Sequence, residues 1–143
     1  MNYSMEQDLI NTINAQRAEA EEFSKQPGCW MGMLVDPTDT AYWSERVPTG
    51  TLREFNRINL EEDAYYMTAD IVSKTYARSL DFANWSDSAL QRHIDNLARQ
   101  AKLEDEMAEE ERKREERTRN AMCRDFGISR ETLDRWLSEA EAA

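Results

Sequence analysis

Apolar residues recur every three or four positions along most of the chain, which predicts a mainly or entirely α-helical protein. Five apolar residues near the start share this helical spacing: Met5, Leu9, Ile13, Ala20 and Phe23. The segment Ser4–Gln7 has the spacing of a capping box, in which two side chains satisfy the first backbone N–H groups. Pro27 and Gly28 are typical of a helix stop. We therefore expect a first helix that ends before residue 27.

Residues 29–47 allow two interpretations. The apolar run Cys29–Val35 is typical of a strand, and residues 36–39 can turn it into a small hairpin with residues 41–47. The same turn also suits a helix start, with Asp36 as the cap and Pro37 at the first helical position. We favour the helix, and the hairpin stays open.

Residues 51–107 predict three more helices. Capping-box spacings at residues 51–54 and 59–62 begin a short helix and then a longer one. The longer one has two apolar stripes, which is typical of a helix in the middle of a core or between a core and an interface. Residues 84–87 break it and cap the next helix, whose apolar stripe has four members: Leu90, Ile94, Leu97 and Ala101. We assign residues 1–107 to one helical body.

The apolar spacing stops after Met107. Residues 108–120 contain no large apolar side chain, and their acids and bases lie three and four positions apart. Such pairs stabilise an exposed helix by about 0.2–0.5 kcal/mol each. We interpret residues 108–120 as a charged helical spacer that leads to a C-terminal unit, residues 121–143.

The charge of the chain is strongly acidic and unevenly distributed. The whole chain has 18 basic and 29 acidic residues, a net charge of −11. Residues 1–111 hold 22 acids and 10 bases, whereas residues 112–135 hold 8 bases and 5 acids. Acidic clusters of this kind are usually solvated helix faces, and a DNA mimic or a binder of basic partners is the alternative. Nucleic-acid-binding proteins are usually basic, so only residues 112–135 suit that role.

Residues 119–138 carry the most specific pattern. Six of them combine large and small apolar residues, a turn glycine and a buried stripe: Met122, Cys123, Gly127, Leu133, Trp136 and Leu137. Ile128 can fill the corner and Ser129 can cap the following helix. The pattern resembles a DNA-binding helix-turn-helix. The architecture is similar to small proteins of phages and mobile elements, such as small terminase subunits, although their helix-turn-helix usually comes first.

The resemblance implies a set of contacts with double-stranded DNA. Four residues would face the major groove: Arg130, Glu131, Asp134 and Arg135. Arg119 and Arg124 would lie near phosphates. Glu131 and Asp134 are negatively charged, and the phosphates of DNA repel negative charge. A carboxylate can nevertheless accept a hydrogen bond from a cytosine amino group.

The C-terminal unit also lacks an apolar neighbour, because the charged spacer offers none. We expect Met122, Phe126 and Trp136 to form a protein interface, either with a second copy in a homo-oligomer or with another partner. The sequence thus favours a DNA-associated adaptor or regulator, with the acidic body used for oligomerisation or docking. The alternative is an interaction module that does not bind DNA, such as a virion or assembly component or an inhibitor of a host machine.

Catalysis has little support in the sequence. No nucleophile set, phosphate-binding loop or metal-ligand spacing occurs, so we expect no enzyme, no cofactor and no metal. His93 is the single histidine, and we expect it at a core edge. No apolar run reaches the roughly 20 residues that span a bilayer, so we expect no membrane partner. Cys29 and Cys123 lie far apart, which favours a reduced compartment: the cytoplasm of a host cell, or a virion.

Overall fold

The structure is a computed structural model that describes residues 2–142. Within that range it contains six α-helices and one short 3-10 helix, and no strand. The helices are α1 (Gln7–Ser24), α2 (Thr40–Arg46), α3 (Leu52–Ile71), α4 (Lys74–Ser79), α5 (Asp87–Phe126) and α6 (Arg130–Ala142), with the 3-10 helix at Phe82–Asn84. The predicted mainly α fold is confirmed.

The chain divides into two compact units, unit 1 (Met1–Ile94) and unit 2 (Asp95–Ala143). α5 begins in unit 1 and ends in unit 2. We predicted a body that extends to residue 107, so the last part of that body and the whole charged spacer fall in unit 2. In the range that the structure describes, no helix is apolar over a length sufficient to cross a bilayer.

The hairpin alternative at residues 29–47 is wrong, and the favoured helix is shorter than expected. Residues 29–36 have no regular secondary structure. α2 begins only at Thr40, because the carboxylate of Asp39 accepts the Tyr42 N–H at 3.2 Å and caps the helix there. Asp36 instead accepts from the backbone N–H and the hydroxyl of Thr38, at 2.8 and 2.7 Å, which closes a turn.

The two helices that we predicted on either side of residue 59 are one helix, α3. Thr51 caps it, since its hydroxyl accepts a backbone N–H of the first turn at 3.2 Å. The far end of the predicted longer helix is separate: the N–H groups of residues 72–73 both bond to the Thr68 carbonyl, and α4 begins after them. An asparagine inside a helix costs well under about 1 kcal/mol, so Asn59 cannot break a helix that packs along its length.

The first core of unit 1 joins α1, α2 and α3. Its buried members are Leu9, Ile13, Trp43, Val47 and Phe55. The Trp43 indole N–H lies 3.3 and 3.0 Å from the backbone carbonyls of Val35 and Asp36 and holds this irregular segment against the core. The Tyr3 hydroxyl lies 3.1 and 2.7 Å from the carbonyls of Trp43 and Val47, so the N-terminal segment is attached to α2.

The second core of unit 1 joins α3 to the 3-10 helix and the start of α5. Its buried members are Ala64, Phe82 and Leu90. Arg57 on α3 connects these elements: it donates to the carbonyls of Phe82 and Trp85, at 3.1 and 2.6 Å, and to the Asp87 carboxylate at 2.6 Å. A charged donor binds carbonyl oxygens more tightly than a neutral one, so this contact fastens the 3-10 helix to α3.

His93 lies at the edge of this second core, as we expected. Its Nε2 atom is 2.8 Å from the hydroxyl of buried Thr68. Its ring centroid lies 5.2 Å from that of Trp85 and 5.6 Å from that of Phe82. These contacts give the imidazole a packing role.

Gly50 allows the N-terminal segment to pass close to the turn before α3. Its φ of +67° lies in the left-handed region, and a Cβ atom there would lie 2.2 Å from the Ser4 carbonyl oxygen. The Gly50 carbonyl also accepts the Glu6 N–H at 2.8 Å. Only glycine permits both the backbone angle and this close approach.

Gly50→Ala tests this contact against a matched control, Gly28→Ala. Gly28 has a similar φ of +76° but open space around the added Cβ. We expect Gly28→Ala to lower the free energy of unfolding by about 1–2 kcal/mol, the backbone cost alone. Gly50→Ala should lose about 1–3 kcal/mol more because the added methyl overlaps the Ser4 backbone. Urea denaturation measures both, and equal losses would show that the N-terminal segment yields without cost.

Candidate interaction site in unit 2

A tight turn joins α5 to α6 in unit 2. α5 ends at Phe126, Gly127 takes a φ of +65°, and the Ile128 N–H donates to the Cys123 carbonyl at 3.1 Å. This bond from the second residue after the helix is that of a Schellman motif. The Ser129 hydroxyl then accepts the Thr132 N–H at 3.1 Å and caps α6. The predicted roles of Gly127 and Ser129 are confirmed.

One apolar residue anchors α6. Leu133 is only 3% exposed, whereas Met122, Cys123 and Ile128 are half-buried. Met122 on α5 and Leu137 on α6 line one groove of about 330 Å³, together with polar side chains of α5. The two helices therefore share a small apolar contact, which makes polar contacts between them important.

Arg130, at the start of α6, supplies the main polar contact. Its two terminal nitrogens donate to the Glu116 carboxylate on α5 at 2.5 and 2.9 Å. Its Nε donates to Asp134 at 2.9 Å, and one terminal nitrogen also lies 3.1 Å from the Asn120 side-chain oxygen. Arg119 on α5 approaches Asp134 at 3.8 Å. A bidentate arginine-carboxylate pair of this kind fixes orientation as well as distance.

The electrostatics of the pair are mutual. The Glu116 hydrogen bonds, and then those to Asp134, raise the pKa of Arg130 above its usual range. The guanidinium of Arg130 in turn lowers the pKa of the Glu116 carboxyl from its ordinary value of 4.5. Both groups are thus fully charged at neutral pH, and each charge is matched inside unit 2.

The residues that the sequence placed on a DNA-binding face separate into two groups. Arg119, Arg130 and Asp134 come together in the network just described. Arg124, Glu131 and Arg135 lie outside it, and among the described residues none of the three has an ion pair. Arg135 lies one helical turn from Glu131 and one turn from Glu139, so carboxylates flank it on its own face of α6.

Sequence reasoning missed Glu116 and Asn120. Both belong to the charged spacer, 14 and 10 residues before Arg130. The spacer contains five glutamates within residues 108–120, and no local periodicity distinguishes one of them. Only the turn at Gly127 decides which carboxylate meets the arginine.

The predicted interface residues differ in exposure. Met122 is half-buried, but Phe126 is 66% exposed and Trp136 is 48% exposed. Two further apolar residues of α5 are also open, Leu103 at 59% and Met107 at 71%. Exposed aromatic side chains of this size are typical anchors of protein interfaces.

Arg130→Met is expected to loosen α6, whereas Arg135→Met is not. Arg130 links α6 to Glu116 and Asn120, but Arg135 has no such contact. Hydrogen exchange of the amides around Leu133 should become several-fold faster in Arg130→Met and stay unchanged in the control. Unchanged exchange in both variants would mean that Leu133 alone holds the helix.

The lowered pKa of Glu116 predicts a pH dependence of the same contact. Its stabilisation is present above pH 4.5, the ordinary value, and is lost as the pH falls through the lower pKa of the folded state. The NMR signal of the Trp136 indole, one α6 turn beyond Thr132, should therefore shift between pH 4.5 and lower values. Glu116→Gln should remove that transition, and its persistence would assign it to another carboxyl.

Comparisons with known proteins gave no relative: no family model, no curated protein and no solved structure matches the chain. The contacts, exposure and charges of the described residues therefore carry the functional argument alone.

Proposed function

We propose that this protein is a non-enzymatic interaction protein whose C-terminal helices bind another protein through Phe126 and Trp136. The observation that carries the proposal is the use of Arg130. A recognition helix needs its first-turn arginine free for the groove, but this one is engaged by two carboxylates. Two large aromatic side chains remain open in the same unit.

The net negative charge of α6 indicates what kind of partner surface would bind it. The helix carries two bases, Arg130 and Arg135, and four acids: Glu131, Asp134, Glu139 and Glu141. Apolar anchors surrounded by carboxylates fit a socket with a basic rim, since complementary charge at the rim sets orientation and the rate of association. An apolar socket with lysine or arginine around it is therefore the partner surface that we propose.

Two double variants test the proposal in the full chain. Phe126→Ala with Trp136→Ala should abolish a stoichiometric complex recovered from the native host, because truncated interface aromatics commonly cost about 2 kcal/mol or more each. Arg124→Ala with Arg135→Ala is the matched control and should retain the complex. Affinity purification followed by native mass spectrometry measures both, with circular dichroism to show that each variant keeps its helices.

The opposite pattern would overturn this proposal. If the Arg124→Ala, Arg135→Ala variant loses the complex and the Phe126→Ala, Trp136→Ala variant keeps it, the basic residues carry the binding. Binding of a fluorescent random-sequence duplex at low salt would then be the decisive measurement, because phosphate contacts weaken steeply with added salt.

DNA binding is the second candidate, and a separate observation favours it. Arg124 and Arg135 have no ion pair in the part of the chain that the structure describes, and the capped turn suits a helix-turn-helix. In that case the protein is the DNA-associated adaptor or regulator that the resemblance implies, with a phage or mobile-element role in a host cytoplasm or virion. Binding of duplex DNA by the unchanged chain that is lost in the Arg124→Ala, Arg135→Ala variant would support this second candidate.

A further inference from the structure

The middle of α5 is exposed on every side. All residues from 102 to 118 are exposed, including the apolar Leu103 and Met107. Leu103 and Met107 lie one turn apart and form an exposed apolar patch, which no other described part of unit 2 covers. A narrow apolar patch along one helix is commonly buried by packing against a second helix.

The charges of this stretch are arranged in two consecutive blocks. Residues 104–111 hold six acids and no base, and residues 112–119 hold five bases and two acids. Two copies aligned in parallel would place six carboxylates beside six others. Two copies aligned in antiparallel fashion place each acidic block beside a basic block.

One face of α5 has the spacing of a coiled-coil seam. Its members alternate four and three positions apart: Leu103, Met107, Glu110, Arg114, Arg117 and Ala121. At about 100° per residue, Glu116 and Arg119, which contact α6, point to the other side of the helix. The part of the seam from Leu103 to Glu110 is therefore open, whereas Arg114 borders the groove at Leu137 and Ala121 is half-buried.

We propose that α5 pairs in antiparallel fashion with α5 of a second copy of this chain along this seam. With the centre at residue 112, three kinds of contact alternate. Leu103 meets Ala121, large against small; Met107 meets the aliphatic stem of Arg117; and Glu110 meets Arg114. Each contact occurs twice by symmetry, so the pairing is self-complementary.

The ion pairs within α5 do not oppose this pairing. Arg112–Glu109, Arg114–Glu111 and Arg117–Glu110 lie at 2.5, 3.4 and 3.7 Å, with all six side chains about half-exposed or more. Exposed pairs of this kind contribute little, so their partners exchange easily. The seam is about 27 Å long from residue 103 to 121. An interface this short predicts weak association, so the dimer should form only at higher protein concentration.

This inference goes beyond the proposed function, because it uses neither Phe126 nor Trp136. Trp136→Ala should therefore dimerise like the unchanged chain. Loss of the dimer in that variant would place self-association on the C-terminal helices and overturn the inference.

Charge reversal tests the seam with two triple variants of the full chain. The acidic variant carries Lys113→Glu, Arg114→Glu and Arg117→Glu, and the basic variant carries Glu106→Lys, Glu110→Lys and Glu111→Lys. Sedimentation velocity should show each variant as a monomer at concentrations where the unchanged chain dimerises. An equimolar mixture should form a heterodimer, and circular dichroism checks that each variant keeps its helicity.

Orientation needs its own measurement, since opposite charges attract in either direction. Leu103→Cys in one variant and Ala121→Cys in the other, with Cys29 and Cys123 changed to serine, should form a disulfide in the mixture. A parallel pair holds these positions about 27 Å apart and cannot form it. The inference is wrong if the unchanged chain is monomeric at high concentration, if the charge variants still self-associate, or if this disulfide does not form.

Discussion

The exposed middle of α5 is the constraint on which the rest of unit 2 depends. Because residues 102–118 are all exposed, little burial supports their helical structure, and pairs between their own acids and bases add a small stabilisation. Arginines near the C-terminus also pair with carboxylates of unit 2. Arg130 does so across the turn, by binding Glu116 on α5. The only net-positive part of the chain therefore uses most of its positive charge internally. A sequence count of arginines overstates how many are open to a nucleic acid.

Arg130 has a different role in the structure from the one that the sequence pattern predicts. In the helix-turn-helix pattern it stands where a groove-binding residue would stand. In the structure its guanidinium is matched by Glu116 and Asp134, so its role is to position α6. If Arg130 left this network to bind a phosphate, the carboxylates of Glu116 and Asp134 would remain near each other, and their repulsion favours the arrangement in the structure.

The helical fold itself was largely predictable, and the predictions that failed concern where individual helices begin and end. Helical spacing, Thr51 as a cap, and Gly127 with Ser129 at the last turn all follow from local rules. At residues 29–47 the hairpin alternative was wrong and the favoured helix begins later than expected, at Thr40. The predicted break before residue 60 is absent, since α3 continues through it. Trp43 holds the irregular segment by donating to Val35 and Asp36, which no local pattern indicates.

The sequence by itself determined that the chain is helical, that its charge is unevenly distributed and that it turns at Gly127, because each depends on composition or on residues within a few positions. Only the tertiary structure decided which charges are paired and which apolar side chains stay open. Glu116 meets Arg130 across 14 residues, and Phe126 stays exposed although Leu133 is buried. Such pairings depend on how α6 lies against α5, and a contact between helices has no signature in the spacing of either one.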